Sequence, residues 1–138
     1  VATRKKKTTK KKRETKEDSE LFIGERINTI EGKMYLVEEV TIPANGETHY
    51  IYHEKRHETW IPLEGDNVVA IFDGLPTDLR VGYMVMVPRK TKQKIINNSD
   101  TDFRMLVVQS GYDIEKNSDI QEASENTVPK KYKRGIEL

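Results

Sequence analysis

The chain reads as mainly β, a small antiparallel β-barrel or sandwich of about seven strands between a flexible basic N-terminal arm and a polar C-terminal tail. Three observations predict this. Short runs rich in β-branched and aromatic residues recur along the middle of the chain. Turn signals containing Gly, Asn, Asp or Pro separate them. No long stretch of that region carries apolar residues at helical spacing.

The expected boundaries are an arm over 1–19, a β-domain over 20–111 and a tail over 112–138. Residues 1–19 hold Val1 and Ala2 as their only apolar side chains, too few to offset the backbone entropy of ordering. Residues 21–111 hold 38 of the 48 apolar residues, enough for one core. Leu21–Ile27 opens the domain ahead of a turn at Glu31-Gly32, and Met34–Ile42 is the next strand. Pro43-Ala44-Asn45-Gly46 predicts a hairpin onto Thr48–His53, because Asn-Gly takes up positive φ readily. A loop at Glu54-Lys55-Arg56 leads to Glu58–Leu63, where Pro62 suggests a sheet edge. Asn67–Phe72 follows Glu64-Gly65-Asp66, and Asp73-Gly74-Leu75-Pro76 is a further turn. Arg80–Pro88 and Asp102–Gln109 complete the set, joined by a long polar loop. Val68–Phe72, Tyr83–Val87 and Met105–Val108 are apolar at both parities and predict burial on two faces. A helix over Asp113–Glu125 and a turn at Thr77–Leu79 are the remaining expectations.

Composition excludes several functions. Without cysteine there is no disulfide, thiolate zinc site or thiol nucleophile. Apolar runs of at most five residues do not span a membrane, and the basic N-terminus lacks the apolar stretch of a secretory signal. Ser110 lacks the glycine frame of a nucleophile elbow, and Gly65, Gly74, Gly82 and Gly111 are isolated rather than part of a phosphate loop. His49, His53 and His57 are spaced by four, but on a strand that spacing separates them by about 13 Å. His53 and His57 facing each other across a turn, with Glu58 beside them, would make a weak surface metal site, yet exposed turn histidines are the expected outcome. Glu38 and Glu39 interrupt an apolar strand, so one points inward or rims a groove, and they cannot act as a pair. The expectation is a chain that is not an enzyme, with no metal and no cofactor.

Charge is segregated along the chain. Residues 1–17 carry nine bases and two acids, a net of +7, residues 18–129 a net of −9, and residues 130–138 a net of +3. The basic side chains are candidates for nucleic-acid phosphates: Arg4, Lys5, Lys6, Lys7, Lys10, Lys11, Lys12 and Arg13 in the arm, Arg89, Lys90, Lys92 and Lys94 in the polar loop, and Lys130, Lys131, Lys133 and Arg134 around Tyr132. Lys10–Lys16 would also serve as a nuclear import signal. Over two short matches, Gly65–Ala70 and Asp73-Gly74, the chain resembles the small-barrel chromatin readers of the Tudor type, with Leu75-Pro76-Thr77-Asp78 in place of the aromatic residues that should follow. That resemblance implies an aromatic cage, for which Tyr50, Tyr52 and Trp60 are candidates, against packing of the same rings in the core.

The resulting expectation is a non-catalytic component of a nucleoprotein assembly, contacting DNA or RNA through basic arms. The alternative is a structural adaptor or capsid or coat accessory protein whose arms hold neighbouring subunits, and a weaker third is a reader of a modified peptide. The expected location is the cytoplasm, the nucleus or a virion, away from membranes.

Overall fold

The computed structural model describes residues 25–31, 35–111 and 119–132, the first of these segments as backbone only. The basic arm, Leu21–Gly24, Lys133 and Arg134 lie outside the described residues. Among the described residues, ten strands form two five-stranded antiparallel sheets. In chain order they are β1 Glu25–Glu31, β2 Tyr35–Ile42, β3 Ile51–His53, β4 Arg56–Glu64, β5 Val68–Phe72, β6 Leu75–Leu79, β7 Val85–Val87, β8 Gln93–Asn97, β9 Phe103–Gly111 and β10 Ile120–Glu122. One sheet has the order β1-β2-β9-β4-β7 and the other β10-β3-β8-β5-β6. The mainly β expectation therefore holds, with more and shorter strands than the sequence patterning separates.

From β2 onward the chain passes between the sheets at nearly every connection, and only β5 and β6 form a sequential hairpin within one sheet after that point. Asp73 and Gly74 make its turn with φ of 48° and 86°. A side chain at Gly74 would meet the carbonyl oxygen of Thr127 at 2.8 Å, so glycine is needed there on two grounds. Asn45 takes the positive φ its Asn-Gly pair predicts, at 59°. The hairpin it was expected to close is absent, because β2 joins β9 while β3 joins β8 and β10. Turn chemistry sets the local bend, whereas the sheet that the next strand enters depends on which face it can bury.

Two further expectations give way to strands. Thr77–Leu79 lies in β6, paired to Val68–Ala70, rather than in a turn. Within the supposed helix, Ile120–Glu122 pairs with Ile51–His53 as β10, and Glu125–Thr127 is a single 3-10 turn capped by Ser124. The long polar loop is also interrupted, since Gln93–Asn97 forms β8, buried at every position and flanked by β3 and β5.

The interior has two apolar clusters. Val40, Ile42, Trp60, Val68, Ala70, Leu79, Val87, Ile95, Phe103, Met105 and Val107 pack between the sheets. On the other side of the second sheet, Tyr50, Val69, Ile71 and Ile96 are covered by Val128, Ala123 and Tyr132 of the tail. This explains why β5 is apolar at both parities: its alternate residues serve different clusters.

Candidate functional site

Strand register places a set of polar side chains at one end of the inter-sheet space. Across the first sheet Leu36, Gln109, Glu58 and Val87 form one row, and Glu38, Val107, Trp60 and Val85 the next. Alternation then turns Glu38, Glu58 and Gln109 inward at 3%, 6% and 3% exposure. Glu39 faces the opposite way, where it pairs with Arg104, which also bonds Glu64 at 2.6 Å. The adjacent acids thus divide between interior and surface.

The buried polar groups form a closed ring of contacts. Arg56 donates from Nε to Asp119 Oδ2 at 3.1 Å and from a terminal nitrogen to Gln109 Oε1 at 2.9 Å. The Gln109 amide donates in turn to Glu58 Oε2, and the indole of Trp60 donates to Glu58 Oε1 at 2.8 Å. His53 closes the ring, with Nε2 3.2 Å from Glu58 Oε2 and Nδ1 3.3 Å from the carbonyl oxygen of Asp119. The Asp119 carboxylate also accepts from the backbone amides of Glu54 and Lys55 at 3.0 to 3.2 Å. The tail is thereby anchored onto the corner between β3 and β4. Gly111 permits the close packing beside that corner: its φ is 142°, and a Cβ there would lie 2.2 Å from the Lys55 carbonyl oxygen.

Burial opposes ionisation of Glu58, but the charge and hydrogen bond of His53, with the bonds from Gln109 and Trp60, outweigh it and bring its pKa down to about 2. Glu58 is thus a fixed carboxylate at neutral pH.

This ring borders a cavity of about 50 Å³ between the sheets. Its polar wall comprises Glu38, Thr48, His53, Glu58, Gln93, Lys94 and Gln109, and its apolar wall includes Val40, Trp60, Ile95, Met105 and Val107. Ile120 of β10 closes one side. Gln93 is 4% exposed, and its side-chain oxygen has no hydrogen-bond partner. A metal ion needs several convergent donors. Among the described residues no three His, Asp or Glu side chains are so placed, and His53 and Glu58 face each other.

The residues singled out from the sequence are distributed differently. His53 and Glu58 meet inside the barrel, whereas His57 is exposed and His49 half-buried. Arg89 and Lys90 are exposed at the β7–β8 connection, where Lys90 has φ of 69° and its amide donates to the His53 carbonyl at 2.6 Å. Lys92 is half-buried, its backbone amide bonded to Asp73. Lys94 is 4% exposed, and its ammonium contacts Glu47 at 3.3 Å, Glu125 at 3.4 Å and the Thr48 carbonyl at 3.0 Å. Lys130 and Lys131 are exposed, with Lys131 over the Tyr132 ring at 5.1 Å. Tyr50 and Trp60 occupy different clusters and form no cage: Trp60 packs on Phe72 with ring centres 5.3 Å apart, and Tyr50 bonds Thr127 at 2.8 Å. Sequence reading missed Arg56, Gln93, Gln109 and Asp119. The only signal for Gln93 was Ile95-Ile96, an apolar pair inside a polar run that marks a strand buried on two faces.

Two sheets exchanging strands around an interior pocket define a double-stranded β-helix, an architecture that encloses small sites between its sheets. The cupin domain model matches residues 38–109, more than half of the chain, and the chain belongs to the cupin family. No curated protein matches it significantly. Among solved structures, a conserved protein with a double-stranded β-helix domain from Klebsiella pneumoniae is 16% identical, with 81% of this chain and 97% of that one covered and a TM-score of 0.64. The Cnp3 cupin domain of Schizosaccharomyces pombe is 15% identical, covering 67% and 66%, with a TM-score of 0.58. A cupin protein from Bacteroides fragilis is 22% identical, covering 56% and 66%, with a TM-score of 0.52. The chain thus spans just under two thirds of the last two. At these identities the likeness concerns the fold. No helix among the described residues is long and apolar enough to cross a membrane.

Proposed function

We propose that this cupin domain is a binding module for a small polar molecule, held in the cavity between its sheets. The observation that carries the reading is the cavity itself, with the Gln93 amide and the buried Glu38, His53, Glu58 and Gln109 on its polar wall. A closed apolar core needs no such groups, and burying them is unfavourable unless they serve a ligand or fix a structure. Binding rather than catalysis is supported by Glu58: a proton acceptor works best with a pKa near the operating pH, and this carboxylate lies far below it. Native mass spectrometry of the purified full chain, before and after partial unfolding and dialysis, tests the reading. A released small molecule whose return raises the melting temperature agrees with it. A chain that carries nothing, and that no small polar compound stabilises, refutes it.

A second reading, a nucleoprotein component gripping phosphates through its basic segments, is favoured by the exposure of Arg89, Lys90, Lys130 and Lys131 and by the +7 leading segment. It concerns the outside of the domain and is compatible with the first. Affinity for DNA or RNA should fall with salt by a log–log slope of about −0.7 to −0.9 per phosphate contact. Absent or salt-insensitive binding would eliminate it and leave the adaptor alternative, in which the arms hold neighbouring subunits.

A further inference from the structure

The geometry points to an alcohol without negative charge, a neutral or cationic polyol, as the ligand class of the inter-sheet cavity, with Gln93 as the residue that reads its hydroxyl. This rests on the binding reading above and adds to it the chemistry of the ligand.

Three observations converge. The first is the unpartnered Gln93 oxygen, on a side chain 4% exposed that borders the cavity. A buried amide oxygen calls for a donor. The two ends of a glutamine amide can exchange places by rotation about its last bond, and the group best suited to meet either end is one that both donates and accepts, which a hydroxyl does. The oxygens of an ionised carboxylate or phosphate only accept, and would leave Gln93 Oε1 unsatisfied.

The second is charge. Glu38 and Glu58 both border the cavity, and Glu58 is ionised at neutral pH. The one lysine near it, Lys94, directs its ammonium to Glu47, Glu125 and the Thr48 carbonyl. Arg56 is likewise committed to Asp119 and Gln109. Lys94 and His53 on the wall are thus already matched by carboxylates, and neither is placed to neutralise a bound carboxylate or phosphate. An anion would meet uncompensated repulsion from the acidic wall in a medium of low polarity.

The third is shape. About 50 Å³ is a third of the roughly 150 Å³ that holds a benzene ring, so rather than a larger ligand the space takes the hydroxyl-bearing end of a small polyol. Trp60, Val107, Met105 and Ile95 supply an apolar side for its carbon skeleton opposite the polar side that meets its hydroxyls.

The test uses three probes with one skeleton, glycerol, 3-aminopropane-1,2-diol and glycerate, titrated into the full chain at neutral pH. The readouts are the side-chain amide resonance of Gln93 and the indole resonance of Trp60. The expected result is that glycerol and the aminodiol shift both resonances saturably, while glycerate binds at least about tenfold more weakly. Gln93→Leu should weaken glycerol by about tenfold, the loss expected of one hydrogen bond. The unliganded variant should melt no lower than the parent, because an unpartnered buried oxygen has been removed. Glycerate binding as tightly as glycerol would overturn the ligand class while leaving the cavity a binding site. If none of the three moves Gln93 or Trp60, the polyol inference fails, while the binding reading stands or falls on the released ligand. A clear fall in the melting temperature of Gln93→Leu, with glycerol affinity unchanged, would make Gln93 a structural residue and overturn its assigned role.

Discussion

The two ends of the space between the sheets are built from opposite chemistry. One end holds Ile42, Val68, Leu79 and Phe103, each 2% exposed or less and without a charged neighbour in the cluster. The other holds His53, Arg56, Glu58, Gln109 and Asp119, all 6% exposed or less, beside an open volume. The first end stabilises by apolar burial, roughly 1.5–3 kcal/mol for each large side chain. The second gains little net stability from its ion pairs, whose desolvation offsets their attraction. Labour is divided within one barrel: the packed end supplies a rigid frame, and the frame holds polar groups at fixed positions around a void.

That division can be broken from either side. The largest effect is expected at the packed end, where Phe103→Ala removes a fully buried ring and should cost about 3–5 kcal/mol by chemical denaturation. Retention of more than half the parent stability would show that this end does not carry the fold. Next comes Asp119→Ala, which strands the buried Arg56 charge and leaves the amides of Glu54 and Lys55 without their acceptor. A loss of about 3 kcal/mol is expected, with faster hydrogen exchange centred on Glu54 and Lys55 rather than on β5.

Glu58 sharpens the comparison through pH. Its pKa is lowered in the folded protein, from 4.5 to about 2, so its contribution to stability is fully present above about 4.5. That contribution is lost as pH falls through 4.5 towards 2, the range in which the unfolded chain takes up a proton that the folded chain refuses. Glu58→Gln should be less stable at neutral pH and flatter between 4.5 and 2 than the parent; parallel curves would assign the acid sensitivity elsewhere. The smallest effect is expected outside the barrel, where Asp78→Ala removes a pair with Arg80 that is mostly exposed. Its cost should stay within about 0.5 kcal/mol.

Legibility in the sequence follows the same division. The packed end was readable in Val68–Phe72, apolar at both parities and buried from Val68 to Ile71, and in the Asp73-Gly74 turn with its own φ requirement. Tyr83–Val87, read in the same way, instead leaves Tyr83, Met84 and Met86 exposed. The polar end was not. Gln93 and Lys94 have loop-like chemistry, and only their partners in space make β8 a buried strand: Lys94, for instance, is satisfied by Glu47, Glu125 and the Thr48 carbonyl. Asp119 sits in a stretch of low hydrophobicity and reaches Arg56 across 63 positions, beyond any local pattern. His53 and Glu58 were noticed together, but as surface metal donors, since nothing in their spacing says that the chain crosses between sheets there.

The claim most exposed to test is that the cavity bordered by Trp60 binds a small polyol. Trp60 is the single tryptophan of the chain, so its fluorescence reports that cavity alone. The most direct measurement compares glycerol titrations of the parent and of Val107→Phe, which fills the space beside Trp60 from the neighbouring strand. A saturable fluorescence change is expected in the parent and none in a folded Val107→Phe. An identical response in both proteins, or no response in the parent, would contradict it.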